Sequence, residues 1–310
     1  MNEKTFRKAI KAFLPKSLFL PLRELWRKII RFESIEKNQQ NLFLQRYKEL
    51  SKIKNPKNTL RNNEFKVYSQ NGEDGIIAYI FSKIGVTNNC FAEIGIEDGR
   101  ESNTANLSIN FGWEGLLIDG DKDNVANAKD YYENILKIKE SQVKIVLGFV
   151  TKENINDFFL KNKVKKDIDF LSIDIDGNDY WVWEALTAIK PRVVSIEYNP
   201  VFGPKESLTT SYDPEFMRLK KHPSGLYQGA SLAALTKLGK SKGYSLICCD
   251  SSGCNAFFVL KKEIKNIKEL SVEEAYYPSS RMLRRFKTKD YERINYLEFE
   301  KIKHLDFDYV

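Results

Sequence analysis

The rhythm of apolar residues changes near residue 60. Over residues 5–31 they recur at helical spacing: Phe6, Ile10, Phe13 and Leu14, then Leu18, Leu22, Leu25, Trp26, Ile29 and Ile30. Pro15 and Pro21 divide this stretch into two short amphipathic helices. Residues 32–54 read as a longer, more polar helix, and Asn55-Pro56 ends it. From Glu64 onward short apolar runs alternate with helical patterns. Asn71, with Asp74 three residues on, predicts a helix cap before Ile76, Ile77 and Ile80.

Strands are predicted at 90–94, 115–119, 143–147, 169–173 and 192–197, with helices at 101–109, 122–135, 154–160 and 179–189 between them. A stretch without regular pattern, 202–228, precedes a helix at 231–240 and two further strands at 245–249 and 256–260. This order predicts an α/β, Rossmann-like fold: a mostly parallel sheet with helices on both faces. Three parts are expected: a helical extension over 1–60, the α/β domain over 61–262, and a charged, aromatic C-terminal extension over 263–310 whose elements the pattern does not place.

The charge is uneven. The chain has a net charge of +8, yet residues 1–60 hold 15 Lys/Arg against 5 Asp/Glu, and the remainder holds 35 against 37. The basic character belongs to the extension, so no nucleic-acid partner is expected for the body. Two cationic amphipathic helices suit an anionic membrane surface, contacted through residues 1–31; docking on the protein body would use the same apolar faces. No run of about 18 apolar residues predicts a transmembrane helix. The interrupted N-terminal run does not read as a cleavable signal. Cys90, Cys248, Cys249 and Cys254 form neither a disulfide framework nor zinc spacing. The cytoplasm is the expected compartment, with the extension placing the chain on the inner face of the membrane. A homo-oligomer is compatible with the sequence.

In open α/β sheets the ligand sits at the carboxyl ends of the strands. The first strand ends in Glu93 and Gly95 and leads to Gly99. The second ends in Asp119, about 20 residues past the turn, the spacing of a ribose-binding carboxylate. The fourth ends in Asp174-Ile175-Asp176-Gly177, and the fifth in Glu197-Tyr198-Asn199-Pro200. Singly, each has a plain structural reading: the glycines permit a turn, and Asp-Gly is a common turn pair. Their shared edge points to a site, because carboxylates are seldom buried unless paired or functional. Glu93 would repel a pyrophosphate but suits an ammonium-bearing ligand, which favours S-adenosylmethionine over a dinucleotide. Asp174, Asp176, Glu197 and Asn199 offer oxygen ligands for Mg²⁺ or Mn²⁺. Such a cation would lower the pKa of an acceptor hydroxyl; direct deprotonation by a carboxylate is the other route. His222 in the irregular stretch is a candidate general base, although a surface His before Pro223 is also an ordinary loop residue. Trp181 and Trp183 read as core rather than as a sugar platform.

The runs Tyr68-Ser69-Gln70-Asn71-Gly72-Glu73-Asp74-Gly75, Glu93 to Gly99, Gly112-Trp113-Glu114-Gly115-Leu116-Leu117-Ile118-Asp119 and Leu171 to Gly177 together resemble the FkbM-type methyltransferases. The resemblance spans roughly residues 65–200 and implies a class I S-adenosylmethionine fold. It implies O-methylation of a sugar or polyketide hydroxyl, here taken as a glycan or glycolipid acceptor. By position, Glu93, Gly95, Gly99 and Asp119 would hold the cofactor, Gln70 and Glu73 its amino-acid end, and Asp174 and Asp176 would face the methyl group; Asn103 completes the set. Two departures stand out. The family's Asp-x-Glu-Gly is Asp174-Ile175-Asp176-Gly177, with a shorter second acid. The third strand ends in Leu147-Gly148-Phe149-Val150, with no acid for adenine, which would then be held by packing and backbone groups. The alternatives are a metal-dependent nucleotide-sugar glycosyltransferase, since Asp174-x-Asp176 also resembles its metal motif, and a non-catalytic, membrane-recruited binding module.

Overall fold

The computed structural model describes residues 60–264 and 267–310, together with 42, 45, 46 and 49. The chain divides into two compact units, Met1–Glu49 and Leu50–Val310. In the first, the described residues are helical, and Gln45 Nε2 donates to Glu49 Oε1 at 3.3 Å. The helices expected over 5–31 lie outside the described residues. No described helix is long and apolar enough to cross a membrane.

In the second unit the strands are β1 (Cys90–Ile94), β2 (Glu114–Asp119), β3 (Val143–Leu147), β4 (Phe170–Ile173), β5 (Val193–Glu197), β6 (Leu208–Thr210), β7 (Tyr244–Cys249), β8 (Asn255–Leu260) and β9 (Phe307–Tyr309). The helices are α1 (Glu73–Ile84), α2 (Ala105–Phe111), α3 (Lys122–Lys129), α4 (Ile155–Lys161), α5 (Asp179–Ala185), α6 (Arg218–Lys221), α7 (Leu232–Ser241), α8 (Val272–Ala275), α9 (Ser280–Phe286) and α10 (Tyr291–Phe299). Seven strands form one sheet in the order β3-β2-β1-β4-β5-β8-β7. All neighbours are parallel except β8, which runs antiparallel to β5 and β7. The chain winds outward from β1 to β3, then outward the other way from β4. The order therefore reverses between β1 and β4, the kind of switch point at whose carboxyl ends open α/β sheets bind their ligands.

Alternate strand residues serve the two faces. Ala92, Ile94, Leu116, Ile118, Leu171, Ile173, Val194 and Ile196 share one core with Ile155 and Phe159 of α4, Val182 and Trp183 of α5, and Leu235 and Leu238 of α7. On the other face Phe81 of α1 packs edge-on against Trp113 and Phe170, with ring centroids 5.0 and 6.3 Å away. Strands buried on both faces explain the near-continuous apolar runs.

Several local expectations are corrected. Asn71 does not cap α1, which begins after Gly72 without a side-chain cap, and Asp74 does not complete a cap there. Its carboxylate instead accepts the N–H groups of Val67, Tyr68 and Ser69 at 2.7, 2.8 and 2.9 Å, satisfying a buried loop. The helix expected from residue 101 begins at Ala105, and the helix expected over 122–135 changes at Asp130 into a π-helical turn. The 202–228 stretch is not wholly irregular: β6 pairs antiparallel with β9 from the C-terminus. A second cluster joins Val201, Phe202, Phe216, Leu226 and Tyr227 to Ile302, with Met282, Phe299 and Phe307 packed on it.

Candidate active site

The site is built from the first turn upward. Gly95 lies just past β1 with φ +81, and a Cβ there would sit 1.6 Å from the Asp174 carbonyl oxygen. Only glycine allows β1 and β4 to approach so closely at the point where the strand order reverses. Asp174 N–H donates to Ile94 O at 3.0 Å, and Gly95 N–H to Ile118 O at 2.9 Å, which locks the three strand ends together. Gly99, φ +74, is shaped by packing, since a Cβ would meet the Tyr132 ring at 3.0 Å.

Glu93 is 3% exposed. It accepts Asn103 N–H at 2.8 Å on one oxygen, and Thr104 N–H at 3.0 Å and Thr104 Oγ1 at 2.6 Å on the other. Asn103 Nδ2 donates onward to Ser172 Oγ at 3.1 Å. This acid therefore braces the turn that leads into α2, and burial raises its pKa. Asp119 ends β2, accepting Glu97 N–H and Asp121 N–H, both at 2.8 Å. Glu73 is fully buried, where it accepts Asn71 N–H at 2.8 Å and Asn255 Nδ2 at 3.2 Å, while Gln70 is exposed. Beyond β3, Leu147 and Phe149 are 52% and 48% exposed, an apolar edge next to Gly120, whose Cβ would meet the Phe149 ring at 3.0 Å.

The centre is acidic. One oxygen each of Asp174, Asp176 and Glu197 lies within 4.8 Å of the others. Burial and the charges of Asp179 and Asp176 raise the pKa of Asp174 well above the ordinary value. Burial, then Asp174, Asp176 and Asp179, do the same for Glu197. Glu197 Oε1 accepts Gln228 Nε2 at 3.1 Å, while its buried Oε2 has no hydrogen-bond partner. Asp176 stands in a left-handed conformation, φ +57. Burial raises its pKa and the Arg218 guanidinium opposes the rise. Arg218 Nη1 donates to Asp176 Oδ1 and, at 2.8 Å, to Gln228 Oε1.

Three residues that the sequence did not single out complete this cluster. Asp179 accepts the N–H groups of Ile175 and Gly177, both at 2.9 Å, and so holds the Asp176-Gly177 turn; burial pushes it up to about 6. Its spacing, three residues past Asp176, was a legible signal. Arg218, which begins α6, and Gln228 reach the acids from the segment after β6, where the sequence showed no local pattern. Asn199 lies close by in sequence but serves that loop: Oδ1 accepts Val201 N–H at 3.0 Å, and Nδ2 donates to the carbonyls of Leu226 and Gln228 at 2.8 and 3.0 Å. The His222 ring is engaged with Ser224 Oγ at 2.7 Å and lies 6.2 Å from His304, centroid to centroid. The hydrogen-bonded chain from the acids runs through Arg218 and Gln228 and not through His222. Trp183 is core at 1% exposure; Trp181 is half-buried, donating Nε1–H to Thr210 O at 2.9 Å. The four cysteines are free thiols.

A seven-stranded sheet in this order, with acids at the carboxyl ends of β2, β4 and β5, defines a class I methyltransferase fold. Residues 26–222, more than half of the chain, match the family described as the methyltransferase FkbM domain, and the chain belongs to that family. By family it is a methyltransferase. Solved structures with a similar fold include an O-methyltransferase from Bacillus cereus in complex with SAH, at 18% identity over 56% of this chain and 74% of that one, TM-score 0.36. Another is an S-adenosylmethionine-dependent methyltransferase from Clostridium acetobutylicum, at 10% identity over 58% and 87%, TM-score 0.38. A structure from Galdieria sulphuraria designated a sarcosine dimethylglycine methyltransferase shares 15% identity over 56% of this chain and 62% of that one, TM-score 0.39. No curated protein matches the chain.

Proposed function

We propose that this protein transfers a methyl group from S-adenosylmethionine to a hydroxyl oxygen of a sugar in a glycan or glycolipid acceptor. The observation that carries the reading is the raised pKa of Asp174 and Glu197 at the reversal of strand order. A carboxylate whose pKa is raised is a stronger base when ionised and can take a proton from an alcohol. The donor set suits the cofactor: an acid-rich crevice favours a cationic ligand over a phosphate, Asp119 stands where a ribose carboxylate is needed, and Leu147 and Phe149 offer an apolar edge for a base. The cofactor supplies an electrophilic methyl on a positively charged sulfur. The chain's part is to orient the acceptor, exclude water and remove the proton as the new C–O bond forms. Asp174 or Glu197 receives that proton, and the Arg218 guanidinium opposes the burial-driven rise in the pKa of Asp176 beside them.

A second reading is favoured by the unpartnered Glu197 Oε2 beside two further carboxylates. Asp174, Asp176 and Glu197 fit the hard oxygen ligands of Mg²⁺ or Mn²⁺, which would stabilise the acceptor alkoxide. Asn199 is not part of this set, because its side chain is committed to the loop.

Titration with S-adenosylhomocysteine tests the donor side. Binding is expected in the parent, and Asp119→Ala should weaken it at least ~10-fold, the scale of a lost charged hydrogen bond. No binding in the parent would refute the assignment. Mass spectrometry of glycans from a deletion strain tests the acceptor: one methyl group should disappear, and an unchanged glycan profile would reject the glycan reading.

A further inference from the structure

The C-terminal segment, which the sequence pattern left without a role, carries a distinctive charge arrangement. Residues 275–289 contain Arg281, Arg284, Arg285, Lys287 and Lys289 and no Asp or Glu. All five cations are exposed. Arg281, Arg284 and Arg285 occupy positions i, i+3 and i+4 of α9, which places them on one helix face. Met282 packs against the cluster of Val201, Phe202 and Phe216, so α9 is anchored with its arginines outward. Among the described residues none of the five forms an ion pair. Of the acids that follow, Asp290 caps α10, Glu292 is exposed, and Glu298 and Glu300 are taken by Lys301 and Lys303 at 2.6 and 2.5 Å. On α9 Phe286 is 39% exposed, and on α10 Leu297 and Tyr296 are 44% and 63% exposed.

Helix-dipole compensation accounts for cations in a last turn such as Arg284 and Arg285. It does not account for Arg281 in the first turn, for Lys289 beyond the helix, or for exposed aromatic and aliphatic side chains among them. Cations interleaved with Phe, Tyr and Leu are the composition of a surface that rests on anionic headgroups and sinks apolar side chains among them. A nucleic acid would satisfy the charges but leave Leu297 without a partner. We propose that α9, with Lys287 and Lys289 and the exposed residues of α10, is a docking surface for an anionic phospholipid bilayer. Met282 of α9 packs on the cluster that contains Phe216, two residues before Arg218, so docking would set that side of the site near the lipid surface.

The test is co-sedimentation of the full chain with vesicles of phosphatidylcholine alone and of phosphatidylcholine mixed with phosphatidylglycerol. R281E/R284E/R285E should bind the mixed vesicles at least ~10-fold more weakly than the parent, since each basic residue near such a surface contributes severalfold. K139E/K144E/K161E makes the same change in net charge at exposed lysines elsewhere and should lose less than ~2-fold. R281Q/R284Q/R285Q, which keeps helix propensity and only removes charge, should fall between them; if the Glu variant does not fold, the Gln variant decides by the same comparison. An equal loss in the two Glu variants would mean that net charge alone acts and would overturn the proposal. So would no loss in the α9 variants, or a loss confined to binding of a single-stranded oligonucleotide.

Discussion

Gly95→Ala tests whether the close approach of β1 and β4 builds the site. Gly112→Ala is the internal control. Gly112 closes α2 with φ +67 and has nothing within 4 Å of its would-be Cβ. Alanine there should cost about 1–2 kcal/mol, the penalty of a left-handed backbone alone. At Gly95, φ +81, the same penalty applies, and the Cβ also falls 1.6 Å from the Asp174 carbonyl oxygen. Contacts below 3.0 Å essentially do not occur, so the ends of β1 and β4 must separate by more than an ångström. That would break the Asp174 N–H to Ile94 O bond of 3.0 Å, worth about 1 kcal/mol, and add about 1–3 kcal/mol of overpacking. The total is about 3–6 kcal/mol, or a fall in Tm of roughly 10 °C or more for a unit of this size. Urea and thermal melts measure it. S-adenosylhomocysteine affinity should fall with it, because Asp174 moves. If Gly95→Ala melts within a degree or two of Gly112→Ala, the β1–β4 contact does not carry the fold at this point.

Three further outcomes follow from buried carboxylates. Burial and the charge of Glu73 push Asp250 up to about 7. The native state therefore holds a proton there that the unfolded chain gives up near pH 4, and the associated stability is lost as pH rises through 7. Between pH 5.5 and 8.5 that amounts to about 2 kcal/mol. Denaturant melts should show the decline, and Asp250→Asn should remove it; a parent whose stability does not fall over that range contradicts the assignment. Glu93→Ala strands the N–H groups of Asn103 and Thr104 in the core and should cost about 3–5 kcal/mol, while Glu93→Gln, which keeps one acceptor, should cost about 1–2; equal costs measured by urea unfolding would remove Glu93 as the brace. Mn²⁺ at about 100 times its Kd should stabilise the parent by about 2.7 kcal/mol in a thermal-shift assay, with no shift in Glu197→Gln; equal shifts would eliminate the three-carboxylate cation site.

The sheet was legible in the sequence because parallel strands covered on both faces are short apolar runs, and five of them end in turn or acidic residues. Which acids meet was legible at Asp174, Asp176 and Glu197, since strand register brings neighbouring carboxyl ends to one edge. What those acids bind was not. Glu93 and Glu73 looked free for a ligand, yet both are spent on backbone and amide donors from their own turns. The β6–β9 pair was invisible because its strands have three residues each and lie nearly 100 residues apart. Arg218 was invisible for a similar reason: its partner Asp176 is 42 residues away, and the intervening loop has no period.

The charge arrangement constrains any ligand that enters. After burial, Asp179 and Asp176 raise the pKa of Asp174, and Asp174, Asp176 and Asp179 raise that of Glu197, while Arg218 opposes the burial-driven rise at Asp176. Two like charges 4.8 Å apart repel by about 3.5 kcal/mol at an effective dielectric constant near 20, so the cluster favours protonation or a second cation over full ionisation. A pyrophosphate would add to that repulsion, whereas a sulfonium or a divalent ion relieves it. The same cation must share Asp176 with Arg218, which is tied through Gln228 to Glu197 and begins α6. A cation held at Asp176 would therefore compete with Arg218 for that carboxylate.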